Sequence, residues 1–138
     1  FSNNKNEFYS VDLKTGVTNW INDINSNLTP IIIGNLVFTV SNNGYLHVIE
    51  KSNGNIIRIS DLYVNYKQKK RNKLKPIGFV IGNDKLFLTN TDGKMIVVDL
   101  SEGKITGIEK ISGDFTSKPY IYNQNLFVIK NGSILKFN

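Results

Sequence analysis

The sequence predicts an all-β chain of about three four-stranded antiparallel units, and three observations carry that reading. A seven-residue pattern occurs four times, as NEFYSVD (6–12), GYLHVIE (44–50), GKMIVVD (93–99) and GSILKFN (132–138). Each copy opens on a small turn residue, alternates apolar with polar or mixed positions, and closes six residues later on Asp, Glu or Asn. Three copies are preceded by LVFTVSNNG (36–44), KLFLTNTDG (85–93) and NLFVIKNG (125–132), in which a Leu/Phe-rich run meets an Asn-Gly or Asp-Gly turn. That combination is a strong short-range hairpin signal. Finally, no stretch repeats apolar residues at the helical period over the roughly ten positions a helix needs.

The elements of one unit follow in order. Strand A is LTPIIIGN (28–35), LKPIGFVIGN (74–83) and SKPYIYN (117–123), and it holds all three prolines, Pro30, Pro76 and Pro119. A proline is tolerated there because the first residue of a strand need not donate to the ladder. Strands B and C form the hairpins above. Strand D follows KTGVTNW, KSNGNIIR or SEGKITG, where Gly16, Gly54 and Gly103 each lie four residues past the acidic position. Gly16 and Gly54 are 38 residues apart, and Gly54 and Gly103 are 49 apart. A four-stranded repeat with a period near 40 residues is the signature of a propeller blade. The expected division is 1–22 (the end of strand B, then C and D), 29–63 and 75–112 (complete blades) and 117–138 (A, B and C), with 64–75 a basic loop insertion. Three blades fall short of the roughly four to eight a ring requires. Their apolar end faces need capping, so the chain reads as an incomplete ring, the C-terminal portion of a larger propeller. Homo-oligomerisation that completes the propeller is the second reading.

Composition narrows the function classes. The 138 residues suit one domain, and eight Phe, six Tyr and one Trp can fill a core. No apolar run approaches the roughly 18 to 20 residues of a membrane span. The chain opens on the polar FSNNKNE, with no recognisable signal peptide. Without cysteine it has no disulfide, thiolate metal site or cysteine nucleophile. Asn (20), Ile (18) and Lys (15) are abundant and Ala is missing, a bias that follows AT-rich coding. The net charge of +6 is concentrated in KQKKRNKLK (67–75), which holds six of the seventeen cations and no acid.

The stretch YSVDLKTGVTNW resembles the blade motif of the pyrroloquinoline-quinone (PQQ)-like propeller repeat family, roughly Ala-x-Asp-x-x-Thr-Gly-x-x-x-Trp. Asp12, Thr15, Gly16 and Trp20 match it, and Ser10 replaces the Ala. Later copies decay to Glu50, Gly54 and Arg58, then Asp99, Gly103 and Gly107. Within the family, the spacing and the Pro-led A strand are most similar to the BamB-type outer-membrane-protein assembly lipoproteins. The resemblance implies that the Trp packs between blades while the Asp and Gly shape the C-to-D turn. Asp bonds amides ahead of it and Gly accepts positive φ.

The resemblance implies two functions. A quinone dehydrogenase of the family has carboxylate and amide ligands for calcium, a general-base Asp and a Trp stacked on the cofactor. Here the single Trp is assigned to packing, and Asp12, Asp92, Asp99 and Asp114 fall at turns. No acidic cluster has calcium-loop spacing. His47, the lone histidine, lies in strand C without the converging ligands a metal site needs. SEGKITG (101–107) opens no helix and is no phosphate loop. The favoured expectation is therefore a non-enzymatic scaffold with no catalytic residue, cofactor or metal, on the periplasmic side of a bacterial outer membrane. Its partners by resemblance are the β-barrel assembly machinery or unfolded outer-membrane proteins. The alternative is part of a PQQ-dependent dehydrogenase propeller. Outside the repeat, Lys67, Lys69, Lys70, Arg71, Lys73 and Lys75 are the candidate partner-binding residues, flanked by Tyr63 and Tyr66. An acidic protein or an anionic membrane surface suits them, and nucleic acid is disfavoured. The competing reading is a solvated, flexible loop.

Overall fold

The strands alternate direction along the chain and pair with their sequence neighbours, as short Gly- and Asn-containing turns dictate. A computed structural model of the chain describes residues 2–3, 5–113 and 116–137. Phe1, Asp114 and Asn138 lie outside the described residues, and with them the turn position expected of Asp114 and the last position of the 132–138 copy. The first sheet pairs β1 (Glu7–Val11) with β2 (Thr18–Asp23). The second runs β3 (Ile31–Ile33), β4 (Leu36–Val40), β5 (Tyr45–Glu50) and β6 (Ile56–Asp61). A four-residue helix, α1 (Gln68–Arg71), leads into the third sheet of β7 (Pro76–Gly82), β8 (Lys85–Asn90), β9 (Lys94–Asp99) and β10 (Ile105–Lys110). The fourth holds β11 (Tyr120–Tyr122), β12 (Asn125–Lys130) and β13 (Ser133–Phe137). These are antiparallel propeller-type sheets, and they do not close into a ring.

Two features differ from the sequence reading. Among the described residues, the strand B remnant expected within 1–22 is represented by an isolated bridge, Ser2 to Phe8. The insertion contains a helix, whose single turn is too short to register as a period.

The period of two sorts each sheet's side chains to its two neighbours. On β4 and β5, Val37 and Ile49 face the first sheet, joining Phe8, Ile24 and half-buried Trp20. Phe38, Val40, Leu46 and Val48 face the third sheet, meeting Phe79, Leu86, Leu88, Ile96 and Val98. On the far side of the third sheet, Met95 and Phe87 meet Leu126, Val128, Leu135 and Phe137. Three apolar seams thus join four sheets in a row, the stacking of propeller blades. No helix among the described residues is long and apolar enough to cross a membrane.

Candidate functional site

The repeat-motif residues shape the turns between strands C and D. Asp12 accepts the amides of Lys14 (2.9 Å) and Thr15 (2.8 Å) and the Thr15 hydroxyl (3.0 Å). These bonds hold its carboxyl below the usual carboxylate range, the Thr15 amide contributing most. Gly16 (φ +73°), Gly54 (+79°) and Gly103 (+70°) each return an amide to the carbonyl of the acidic position at 2.8 Å. Asp99 repeats the arrangement through the Ser101 hydroxyl and the Glu102 amide, and its pKa is likewise lowered. Glu50 is one methylene longer and binds the Asn53 side chain instead (2.7 Å), while Asn53 accepts the Asn55 amide.

Trp20 crosses the first seam. Its Nε1 donates to the Lys51 carbonyl at 2.9 Å, and its indole covers Gly54, where a Cβ would lie 2.6 Å from Trp20 Cγ. Arg58 does the same at the second seam. It donates to the Leu100 carbonyl and to the Ser101 carbonyl (2.7 Å), and it lies over Gly103. Both side chains come from the strand D position eight residues past the acid, and both bind backbone just beyond the next acidic residue. Arg58 is therefore a chemical replacement for the tryptophan, a role the sequence pattern alone did not reveal. The third copy has Gly107 there, and a groove of about 990 Å³ opens at the third seam beside Phe87, Met95, Val97 and Phe137.

The basic insertion is built onto the body of the chain. Tyr63 is fully buried and donates to Asn90 Oδ1 at 2.7 Å, and burial pushes its phenol pKa up. A Cβ on Gly44 (φ +85°) would overlap the Tyr63 ring, so glycine is needed there twice over. Arg71 forks onto Asp61 (2.8 and 3.1 Å) and approaches the Tyr45 hydroxyl (3.3 Å), and the Asp61 bonds raise its pKa further. Lys70 pairs with Asp92 at 2.9 Å. Tyr66 is half-buried beside Asp92; burial first, then that carboxylate, pushes its pKa up to about 12. Leu74 is buried, and Lys75 exchanges two 3.0 Å hydrogen bonds with Thr91. Of the six candidate residues, Lys70 and Arg71 are therefore anchors. Lys67, Lys69, Lys73 and Lys75 are exposed.

His47 lies in β5, opposite Thr39 and Ile59, with Nδ1 buried and unpartnered. Burial lowers its pKa. Among the described residues, no three His, Cys, Asp or Glu side chains converge as a metal site would require. The quinone-and-calcium arrangement of a dehydrogenase does not fit these residues. Asp12 and Asp99 are bonded into turns, Asp61 and Asp92 face cations, and Trp20 is wedged between sheets with its N–H engaged.

The fold and its repeat have clear relatives. Residues 1–60 match the family model of outer membrane protein assembly factor BamB. BamB from Moraxella catarrhalis superposes at TM-score 0.70 and 14% identity, over 97% of this chain and 40% of its own. A quinohemoprotein alcohol dehydrogenase from Pseudomonas putida gives 0.60 and 15%, over 88% of this chain and 18% of its own. Residues 1–60 resemble the PQQ-like repeat family, and the chain shares the β-propeller fold of these structures. Its β-propeller architecture extends to Sqt1 of Saccharomyces cerevisiae, at TM-score 0.77 and 16% identity over 96% of this chain and 40% of that one. The chain spans about two fifths of the length of the BamB structure it matches. No curated protein matches it by sequence.

Proposed function

We propose that this PQQ-like propeller chain is a non-enzymatic, BamB-like scaffold. It holds extended client strands during assembly of outer-membrane β-barrel proteins, from the periplasmic side of a bacterial outer membrane. One observation carries the reading. Strand β6 is the edge of its sheet, and Ile56, Ile57 and Ile59 are 41%, 58% and 54% exposed along it. Edge strands ordinarily carry outward charge or proline to prevent pairing. The only cation of β6, Arg58, is turned into the seam, and Asp61 at its end is held by Arg71. An extended segment with alternating apolar residues can add to such an edge through main-chain hydrogen bonds. The resemblance to BamB, whose family model is described by outer membrane protein assembly, gives the client class. The engagement of Asp12, Asp61, Asp92 and Asp99 in turns and ion pairs supports a non-enzymatic role.

Fluorescence anisotropy with a labelled peptide copying one transmembrane β-strand tests this reading. Ile57→Lys with Ile59→Lys is expected to weaken binding at least tenfold with circular dichroism unchanged. Equal affinity of wild type and variant removes the edge as the client site. Calorimetric titration with pyrroloquinoline quinone and calcium is the second arm, and saturable binding there would sink the scaffold reading.

A further inference from the structure

The charge of this molecule is one-sided. Because the strands alternate direction, the B–C turns and D–A connections emerge on one face, and the A–B and C–D turns on the other. On the A–B and C–D face, cations sit beside acids in the chain: Lys14 near Asp12, Lys51 next to Glu50, Lys85 next to Asp84, and Lys104 paired with Glu102 at 2.7 Å. The opposite face carries the insertion. Asp61 and Asp92 beside it are already matched by Arg71 and Lys70. Lys67, Lys69, Lys73 and Lys75 are exposed there with no ion pair among the described residues. Lys75 also lines a polar cleft of about 500 Å³ together with Lys5, Asp23 and the asparagines Asn25, Asn42 and Asn43. Val64, 62% exposed, stands in the same insertion.

We propose that this face docks on a membrane surface rich in anionic phospholipid headgroups. Three observations favour that occupant. The insertion is anchored through Arg71, Lys70, Tyr63 and Leu74, so its free lysines are held as a group rather than dispersed on a mobile loop. Arginine is the residue that recognises carboxylate by a rigid fork, and the one arginine here is engaged internally. What remains outward is a set of lysine point charges, which suit a laterally mobile layer of phosphates better than a fixed acidic protein epitope. Nucleic acid is disfavoured by the same geometry. A single strand needs open aromatic faces, but Tyr63 is buried and the Tyr66 ring lies within reach of Lys70 (5.0 Å) and Lys94 (5.7 Å).

Vesicle co-sedimentation of the full chain tests the proposal. The insertion variant is Lys67→Gln, Lys69→Gln, Lys73→Gln and Lys75→Gln together, which leaves the Lys70 and Arg71 anchors in place. The control is Lys14→Gln, Lys51→Gln, Lys85→Gln and Lys104→Gln, which removes the same charge from the other face. Wild type and control are expected to bind phosphatidylglycerol-containing vesicles at low salt, lose them at high salt, and ignore phosphatidylcholine. The insertion variant is expected to bind at least tenfold more weakly. Equal weakening by both variants assigns the effect to net charge and overturns the proposal, as does undiminished binding by the insertion variant. Tighter binding to single-stranded DNA than to vesicles also overturns it, in favour of nucleic acid. The client-peptide assay is independent of this face, so either proposal can fail while the other stands.

Discussion

His47 is the residue whose chemistry changes nearest neutral pH. It sits half-buried on β5, its cross-strand neighbours Thr39 and Ile59 are uncharged, and its Nδ1 has no partner. Burial disfavours the imidazolium, so the folded-state pKa lies below the ordinary 6.5. The unfolded chain therefore binds the proton more readily than the folded one. The stabilisation is full above about pH 6.5 and is lost as the pH falls through the folded value. Denaturant midpoints are expected to drop between pH 7 and pH 5 in the wild type and to flatten in His47→Gln. The carboxylates with lowered values, Glu7, Asp12 and Asp99, titrate below their ordinary values of 4.5, 3.8 and 3.8 and leave this window clear. An identical slope in wild type and variant would refute the assignment. The sequence placed His47 on a strand, but its missing partner depends on what packs over it and is invisible to a strand pattern.

At the scale of elements, the blades are legible in sequence because their signals are local. Asn-Gly and Asp-Gly turns fix the hairpins, and an acid four residues before a glycine fixes the C–D turn within a single span of chain. Arg58 was illegible for the opposite reason. Its partners, Leu100 and Ser101, lie more than forty residues away, and only the stacking of sheets brings them together. The insertion's anchors were hidden likewise, since Asp61 and Asp92 belong to neighbouring sheets and α1 is too brief to show a period. The equivalence of Arg58 with Trp20 has a measurable consequence. Arg58→Ala removes charge-assisted bonds to two carbonyls at a partly exposed seam, and is expected to cost about 1 to 2 kcal/mol in chemical denaturation. Arg58→Trp places the side chain of the first seam over Gly103 and is expected to recover most of that loss. Arg58→Lys, a single point donor without the fork, is expected to recover less. A tryptophan variant as unstable as the alanine one would show that the two seams are not interchangeable.

Across the whole molecule, stability is shared between seams rather than held in one central core. In a stacked array each unit is stabilised by its nearest neighbours. The second and third sheets each bury both faces, and they share the largest cluster, from Phe38 and Leu46 to Ile96 and Val98. The first and fourth sheets each have one packed face. On the fourth, Ile129 is 46% and Ile134 70% exposed, directly opposite one another across β12 and β13. The third seam also lacks the strand D side chain that crosses the other two, since Gly107 occupies that position. Local opening is drawn from regions with few buried apolar contacts. Native-state hydrogen exchange on this chain is therefore expected to show a gradient. Amides of β4, β5, β8 and β9 should exchange last, near the global unfolding free energy. Those of β12 and β13 should exchange first, ahead of β1 and β2, because the Trp20 indole covers the first seam whereas Gly107 leaves that position empty at the third, where the small Thr89 hydroxyl bonds the Ser117 carbonyl (2.9 Å). Uniform protection across all four sheets would mean that the array unfolds as one cooperative unit, and that its seams, crossed or open, are equivalent in energy.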